Sequence, residues 1–381
     1  MKQVLELYRD VLENGRLDPN RTGTDTVRVF GRQMRFDLTK GFPLITTKKM
    51  FFKGILIENL WFLGCDGADP TNIQYMNDKK VHIWSDWPYK KYVQNVDPNI
   101  SKAEFEEGLR NRTIDMKHGD LGPVYGKQWR QWSGKVMVQD CAAIDKPFRP
   151  IDKLDYPIPC SEDTCDNIDA FYYQPKIDQI AWALNEVRNN PTSRRIIVSA
   201  WNPADLNDMA LQPCHYNFHL NVRLFTAEER DEYFLNHTEE CNARSTPDAI
   251  VEVPLDNNKT GLAVDYDKMG IPRGYLDCHT MIRSNDNLLG TPFNIAGYAL
   301  LTHMFAQVTN LLPGDLVYTQ SDSHIYVNHI EQIKEQLTRE PYPLPQLVID
   351  PSIKNIDDFK PEHFELKNYR SHPPIKGEVA V

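Results

Sequence analysis

The sequence contains no run that approaches about 20 consecutive apolar residues, the length that a membrane-spanning helix needs. It also has little cysteine: seven cysteines, an odd number spread thinly over 381 residues, do not fit a secreted disulfide scaffold. The beginning of the chain, MKQVLELYRD, lacks the apolar segment of a signal peptide. These absences predict a reduced, soluble, cytoplasmic protein that makes no contact with membranes.

Positive charge is also in short supply, since 43 lysines and arginines stand against 53 aspartates and glutamates. The resulting net charge of −10 argues against bulk nucleic-acid binding, although it is compatible with a local anion site. The other proportions, 41% hydrophobic and 25% charged, are ordinary for a globular protein, and we find no internal repeat. The composition therefore predicts a globular protein without a nucleic-acid partner.

Hydrophobic spacing predicts helices and strands in irregular alternation. Apolar residues at helical spacing, or in nearly continuous runs, predict helices at residues 4–12, 54–63, 180–187, 293–309 and 324–339. Alternating or β-branched runs predict strands at residues 26–30, 195–201 and 215–225, the last with Tyr216, Phe218, Leu220, Val222 and Leu224 on one face. Such a mixture favours an α+β fold, with flanking helices around an antiparallel or mixed sheet.

Two segments interrupt this pattern. Residues 135–175 are rich in proline and aspartate and show no sustained period, and residues 226–274 are polar and rich in turn formers. Good core elements lie on both sides of each segment. We therefore predict a single domain over residues 1–381 with two surface insertions.

The local pattern LQPCH places Cys214 at the head of the alternating strand. A cysteine there can present a thiol to a cleft, where nearby arginines would favour the thiolate. Taken alone, the pattern favours a buried structural cysteine.

Arginines and asparagines supply two further hypotheses. Arg21, Arg194, Arg195 and Arg283 with Ser284 would suit a phosphate dianion, provided that the fold brings them together. The segment that ends in Asn294 offers an amide donor and acceptor side by side, which suits a pyrimidine edge with O4 and N3–H. The alternatives are ordinary surface arginines and a helix N-cap.

A series of longer motifs then follows in a fixed order: DPNRTGT, FPLITTKK, ENLWFL, VHIWSDW, DLGPVYGKQWR, SRRIIVSAWNP, MALQPCH, RSNDNLLGTPFNIAGYALLTHM, SDSHIYVNH and HPPIKGEVAV. In kind and order they resemble the thymidylate synthase family, which also includes pyrimidine-nucleotide hydroxymethylases known from bacteriophages that modify their DNA. The resemblance runs from the first helix to the last residue, apart from the two insertions.

The resemblance implies an α+β fold on a twisted mixed sheet, whose face pairs two subunits into a homodimer with shared active sites. It implies dUMP as substrate and 5,10-methylenetetrahydrofolate as one-carbon donor, with no metal. Cys214 matches the nucleophile, whose addition to C6 makes C5 reactive toward the donor carbon. Glu58 matches the general acid–base carboxylate, and a carboxylate in an apolar helix can have a raised pKa. Tyr125 matches a tyrosine implicated in removal of the C5 proton.

The resemblance also assigns binding residues. The phosphate site takes Arg21, Arg194, Arg195, Arg283 and Ser284, with Arg194 and Arg195 supplied by the partner subunit. Asn294 matches the base-reading asparagine, and His324 and Tyr326 match the deoxyribose contacts. The folate site takes Trp84, Leu211, Asp286, Gly290, Phe293 and the terminal Val381; Asp286 also borders the substrate. Taken alone, Trp84 and Phe293 are more typical of core aromatics than of a cofactor site.

Four positions depart from the family pattern. Ile282 replaces a glutamine before the Arg-Ser pair, His219 replaces a glutamine five residues after the nucleophile, and Gly297 replaces a serine. Asn20 replaces an aspartate before Arg21. The first three are expected in or near the nucleotide pocket, where loss of a hydrogen-bonding group forces neighbouring groups or waters to rearrange.

Three functions compete on this basis. Water capture of the C5-methylene group would give 5-hydroxymethyl-dUMP, and the altered pocket with its two insertions favours this hydroxymethyltransferase. The alternative is a thymidylate synthase, in which hydride transfer gives dTMP and dihydrofolate. A non-catalytic nucleotide- or RNA-binding member does not fit the presence of Cys214, Glu58 and Tyr125.

Overall fold

The structure, a computed structural model, describes residues 1–20, 23–134, 137–140, 170–173, 176–239, 241, 249–255 and 259–378. The α-helices within this part of the chain are α1 (Lys2–Asn14), α2 (Phe52–Leu63), α3 (Gln74–Asp78), α4 (Asp86–Asn95), α5 (Lys102–Arg110), α6 (Tyr125–Gln131), α7 (Gln179–Asn189), α8 (Ala227–Asn236), α9 (Gly290–Val308) and α10 (Ile330–Leu337). The strands are β1 (Arg16–Asp18), β2 (Thr26–Asp37), β3 (Trp132–Ser133), β4 (Met137–Asp140), β5 (Ala170–Tyr173), β6 (Lys176–Ile177), β7 (Ile197–Ser199), β8 (His215–Leu224), β9 (Ile250–Leu255), β10 (Lys259–Val264), β11 (Gly274–Asp286), β12 (Leu312–Tyr326), β13 (Gln346–Ile349) and β14 (Phe364–Lys367).

A six-stranded sheet in the order β1-β2-β12-β11-β8-β7 organises the molecule. Neighbouring strands are antiparallel except for the central pair, β11 and β12, which run parallel. Parallel neighbours need a crossover connection, and α9 provides it. The mixed sheet with flanking helices confirms the predicted α+β class.

The core lies between this sheet and two apolar helices. Helix α9 packs on β11 and β12 and also contacts α2, so it is buried almost all round. Helix α2 is likewise buried along most of its length, as its continuous apolar sequence predicts. This layer places Glu58, on α2, inside an apolar interior close to the first turns of α9.

One predicted helix begins later than expected. Residues 324–339 were predicted to be helical throughout, but β12 continues to Tyr326, a 3₁₀ turn spans Val327–His329 and α10 covers only Ile330–Leu337. His324 and Ile325 pair with Arg28 and Val27 of β2. All of residues 323–326 are buried, so these four residues show no period that separates strand from helix.

The other predicted elements are found with shifted ends. The strand predicted at residues 26–30 extends to Asp37, and the one predicted at 195–201 is confined to Ile197–Ser199. The predicted face of β8 holds in its middle, where Phe218 and Leu220 are buried, and fails at Leu224, which is 45% exposed. Strand β8 passes the edge of the core there, so alternation no longer matches burial.

Parts of the two predicted insertions are described. In residues 226–274, helix α8 has no buried residue and β9 pairs with β10 as a hairpin. In residues 135–175 only the pairing of β4 with β5 is described. Among the described helices none combines the length and apolar character needed to cross a membrane.

Candidate active site

Cys214 lies half-buried immediately before β8, and Arg283 of the neighbouring strand β11 holds its loop. The guanidinium Nε donates to the carbonyl of Pro213, and Nη2 donates to that of Gln212, both at 2.8 Å. The backbone N–H of Arg283 also donates to the carbonyl of Cys214 at 2.8 Å. These bonds fix the thiol-bearing loop to a central strand of the sheet and keep a cation beside it.

Tyr125 contacts the same loop from the start of α6. Its hydroxyl oxygen accepts the backbone N–H of Cys214 at 2.6 Å, and its ring stacks on His215 with centroids 3.9 Å apart. Burial raises the pKa of Tyr125 well above its ordinary value, so the hydroxyl stays neutral. A neutral hydroxyl at this position can relay a proton next to the nucleophile.

Glu58 projects from α2 into the apolar core, where the indole Nε1 of Trp84 donates to its Oε1 at 2.7 Å. Burial raises the pKa of Glu58 to about 7, and the bond from Trp84 opposes this shift only in part. A carboxylic acid with that pKa is partly protonated near neutral pH. Glu58 can therefore both donate and accept a proton in one catalytic cycle.

A small cavity lies between Glu58 and Asn294. Its free space for the centre of a water molecule is about 10 Å³, which is room for a single water. A Cβ at Gly297 would lie 3.3 Å from the side-chain nitrogen of Asn59, so the glycine leaves this wall of the cavity open. The lining comprises Glu58, Asn59, Phe62, Trp129, His215, Asn294, Gly297, Tyr298 and Leu301.

His215 closes the cavity as a neutral imidazole. Its Nδ1 lies 2.8 Å from the hydroxyl of Tyr298, and burial lowers its pKa to about 3. It therefore carries no charge near neutral pH. Glu58 is then the cavity's titratable group in that pH range.

Asn294, half-buried near the start of α9, is the first member of a chain of three hydrogen-bonded side chains. Its Nδ2 donates to Oδ1 of Asn285 at 3.3 Å, and Nδ2 of Asn285 donates to the hydroxyl of Tyr318 at 2.5 Å. A Cβ at Gly290 would lie only 2.6 Å from Oδ1 of Asn285. Glycine at that position therefore lets the start of α9 approach the end of β11.

Comparison with known proteins identifies the family. A thymidylate synthase family profile matches residues 2–381. Proteins named thymidylate synthase from Malacoplasma penetrans, Mycoplasma mobile and Mycoplasma pneumoniae are each 38% identical, over 385, 383 and 383 residues, and each match covers 100% of both chains. The chain belongs to the thymidylate synthase family. It is accordingly a folate-dependent transferase that acts at C5 of dUMP.

With the family known, the remaining site residues can be placed. At the sheet end that carries Ser284 and Asp286, His324 is the Cα partner of Asp286. Nδ1 of His324 lies 2.8 Å from Oδ1 of Asp322, and its ring meets Tyr326 edge-on at 5.1 Å. The structure therefore brings Ser284, Asp286, His324 and Tyr326 to the end of the sheet near Cys214.

Three of the residues assigned to folate, Asp286, Gly290 and Phe293, lie in or just before the first turn of α9. Oδ1 of Asp286 accepts the N–H groups of Leu288 and Leu289 and lies 3.8 Å from Nδ1 of His329. Leu211 and Phe293 are half-buried at the edge of the core. Trp84 is 6% exposed and binds Glu58, so it supports the carboxylate from within the core.

The C-terminal segment packs on this region. The backbone carbonyl of Glu378 lies 2.9 Å from Nε2 of His329. A Cβ at Gly377 would meet Leu288 at 2.7 Å, which shows how closely the segment approaches α9. Val381 lies outside the described residues, and so does Arg21.

Arg194 and Arg195 are exposed and lie far from Cys214 in their own chain. The residue that opens β7, Ile197, pairs with His219, five residues along β8 from Cys214. At about 3.3 Å per residue this is roughly 17 Å. The structure thus does not bring Arg194 and Arg195 to Arg283 and Ser284 within one chain.

His219 was expected near the nucleotide pocket, and the structure places it elsewhere. It alternates along β8 with Phe218 and Leu220, whose side chains are buried on the core face. His219 and its strand partner His279 therefore both lie on the outer face of the sheet. The expectation failed because a resemblance in sequence position does not say which face of a strand a side chain occupies. Ile282 and Gly297, by contrast, are on the core side, and Gly297 lines the cavity.

Sequence reasoning missed two polar residues of the site, Tyr298 and Tyr318. Tyr298 lies in a strongly apolar helix, and Tyr318 belongs to the buried face of the alternating strand β12, and in both places a tyrosine is typical of the core. Only the contacts of their hydroxyls with His215 and Asn285 distinguish them. Within the described residues there is no group of three or more histidine, cysteine, aspartate or glutamate side chains that could hold a metal ion.

Proposed function

We propose that the protein is a thymidylate synthase, which converts dUMP and 5,10-methylenetetrahydrofolate into dTMP and dihydrofolate. The observation that carries this proposal is the arrangement of Cys214, Tyr125, Glu58 and Asn294. Glu58 and Asn294 line one cavity together with His215, and Tyr125 stacks on His215 and bonds the backbone of Cys214. The names of the relatives support the same product.

In this proposal Cys214 adds to C6 of the uracil ring, and the ring then becomes nucleophilic at C5. Arg283 holds the loop of the nucleophile and, with Ser284, binds the phosphate. Asn294 reads the O4 and N3–H edge of the base. Glu58 transfers a proton to and from the base across the cavity that it shares with Asn294. Tyr125, beside Cys214, takes part in removing the C5 proton.

The folate-assigned residues fit a flat heteroaromatic ring with N–H donors. Leu211 and Phe293 offer apolar surfaces, while Asp286 offers a carboxylate beside them. Nδ1 of His329 is buried and has no hydrogen-bond partner in the described part of the chain, which leaves polar capacity at this position. Bound folate supplies the carbon and the hydride; the chain's own residues orient it and exclude water.

Water capture, giving 5-hydroxymethyl-dUMP, is the second candidate end point. One observation favours it: the cavity beside Gly297 has room for one water molecule next to Glu58. His219 no longer supports it, because that imidazole lies on the other face of the sheet. Since the relatives carry the name thymidylate synthase, hydride transfer becomes the main proposal and replaces the initial preference.

The mass of the nucleotide product decides between the two end points. We expect that incubating the protein with dUMP and 5,10-methylenetetrahydrofolate yields a nucleotide heavier by one CH₂, together with dihydrofolate detected by its absorbance. A reaction without folate is the control. A product heavier by one CH₂O, with tetrahydrofolate as the second product, would show a hydroxymethyltransferase instead.

We further propose that the enzyme acts as a cytoplasmic homodimer with shared sites, each chain being one catalytic domain with insertions near residues 135–175 and 226–274. The separation of Arg194 and Arg195 from Cys214 supports sharing, because these arginines can complete a phosphate site only in another chain. The outer face of the sheet is suited to pairing, with Phe30 76% and Ile197 47% exposed.

Subunit mixing tests the shared site. Arg194→Ala and Cys214→Ser proteins should each be inactive, and mixing equal amounts should restore about a quarter of the wild-type activity. Half of randomly formed dimers are mixed, and each then holds one intact site. A mixture of Cys214→Ser with Glu58→Gln is the matched control, since both residues belong to the same chain's site. Absence of recovery after demonstrated subunit exchange would show self-contained sites.

A further inference from the structure

Two buried polar side chains extend a chain of hydrogen bonds from Asn294, the proposed base-reading residue. Tyr318 on β12 and Asn285 at the end of β11 are 0% and 3% exposed, and Asn285 joins the Tyr318 hydroxyl to the amide of Asn294. Asn294 in turn lines the cavity beside Glu58. Asn285 and Tyr318 are therefore placed to fix how the amide of Asn294 is turned.

Burial makes this arrangement costly to break. Burial raises the pKa of Tyr318, so its hydroxyl stays neutral. The neutral hydroxyl accepts hydrogen from the amide of Asn285, whose own oxygen accepts from the amide of Asn294. If the hydroxyl were removed, Asn285 would keep a buried donor without its partner.

The same region has lost the polar group that its family usually carries. Ile282 stands where a glutamine is usual, and this isoleucine is completely buried on β11. An aliphatic side chain cannot orient a neighbouring amide. Among the described residues, the side-chain amide of Asn294 bonds Asn285, which in turn bonds Tyr318.

We propose that Asn285 and Tyr318 are positioning residues that orient the amide of Asn294 for uracil and against cytosine. This inference rests on the proposed function, in which Asn294 reads the base.

The hydrogen-bond pattern explains the selectivity. One N–H of Asn294 is used by Asn285, which leaves the other N–H for O4 of uracil and the amide oxygen for N3–H. Cytosine presents the reverse pattern, so Asn294 would have to turn over and bring its oxygen against Oδ1 of Asn285. To relieve that repulsion, Asn285 must turn as well and Tyr318 must change from acceptor to donor.

Equilibrium binding of nucleotides tests the proposal with Tyr318→Phe and Asn285→Ala. We expect the ratio of the Kd values for dCMP and dUMP to fall about tenfold in each variant relative to wild type. The affinity for 2-deoxyribose 5-phosphate, which has no base, should not change. The double variant should lose no more selectivity than Asn285→Ala alone, because both substitutions interrupt the same chain.

Tyr89→Phe is the matched control, because its hydroxyl bonds only the carbonyl of Ile100 among the described residues, away from the site. It should keep the wild-type ratio. Unchanged ratios in Tyr318→Phe and Asn285→Ala would overturn the proposal, and so would an equal loss of affinity for 2-deoxyribose 5-phosphate. Wild-type protein that binds dCMP more tightly than dUMP would contradict the proposed function itself, before any variant is compared.

Discussion

Replacing Cys214 by serine is expected to reduce product formation by at least about four orders of magnitude while dUMP still binds. A hydroxyl is a far weaker nucleophile than a thiolate, so addition to C6 would fail. The contacts of the loop with Arg283 and Tyr125 involve backbone atoms of residues 212–214 and survive the substitution. Steady-state turnover and equilibrium binding of dUMP measure the two effects separately.

Cys65→Ser is the matched control for this prediction. The Cys65 thiol is buried at the end of α2 and donates to the carbonyl of Ile356, a role that a hydroxyl can also fill. Turnover by the Cys65→Ser protein should remain near that of wild type. Substantial turnover by Cys214→Ser would remove this residue from the role of nucleophile and leave it as a packing cysteine.

Replacing Glu58 by glutamine is expected to lower kcat by about 10²–10⁴-fold, because the substituted side chain cannot exchange a proton. The same substitution should change how stability depends on pH. The pKa of Glu58 is about 7 in the folded protein, whereas the ordinary value of 4.5 applies when the side chain is exposed in the unfolded chain. Between those values the folded protein keeps a proton on Glu58 that the unfolded chain has lost.

The sign of this effect follows from proton linkage. The favourable contribution of protonated Glu58 is complete below pH 4.5 and is lost as the pH rises through 7. At about 1.4 kcal/mol per pH unit, the loss is about 3 kcal/mol in the free energy of unfolding. The glutamine variant does not suffer it, so its stability relative to wild type should increase by that amount across the interval.

Denaturant unfolding at several pH values measures this difference. Glu13→Gln, at an exposed position of α1, is the control, and its stability relative to wild type should stay constant over the same interval. A flat difference for Glu58→Gln would mean that Glu58 ionises normally in the folded protein. Its role as an acid–base group near neutral pH would then be contradicted.

The amino-acid sequence by itself determined the fold class, the order of the motifs and the identity of the nucleophile candidate. Helix α1 could be predicted from its helical spacing of apolar residues, and α2 and α9 from nearly continuous apolar runs, because both are local properties of the chain. The family could be predicted because many short motifs occur in one order over the whole chain, and the family comparison confirms it.

Only the tertiary structure decided how these residues act. The parallel pairing of β11 with β12 joins segments separated by α9, and no local pattern specifies such a partner. The raised pKa of Glu58 depends on burial between α2, α9 and the sheet, and the contact of Asn294 with Asn285 depends on where α9 begins. His219 and Arg194 show the same limit, since strand register set the face of one and the distance of the other from Cys214. Burial, strand partners and side-chain direction arise from contacts between distant parts of the chain, so the fold had to be known before the chemistry of the site could be assigned.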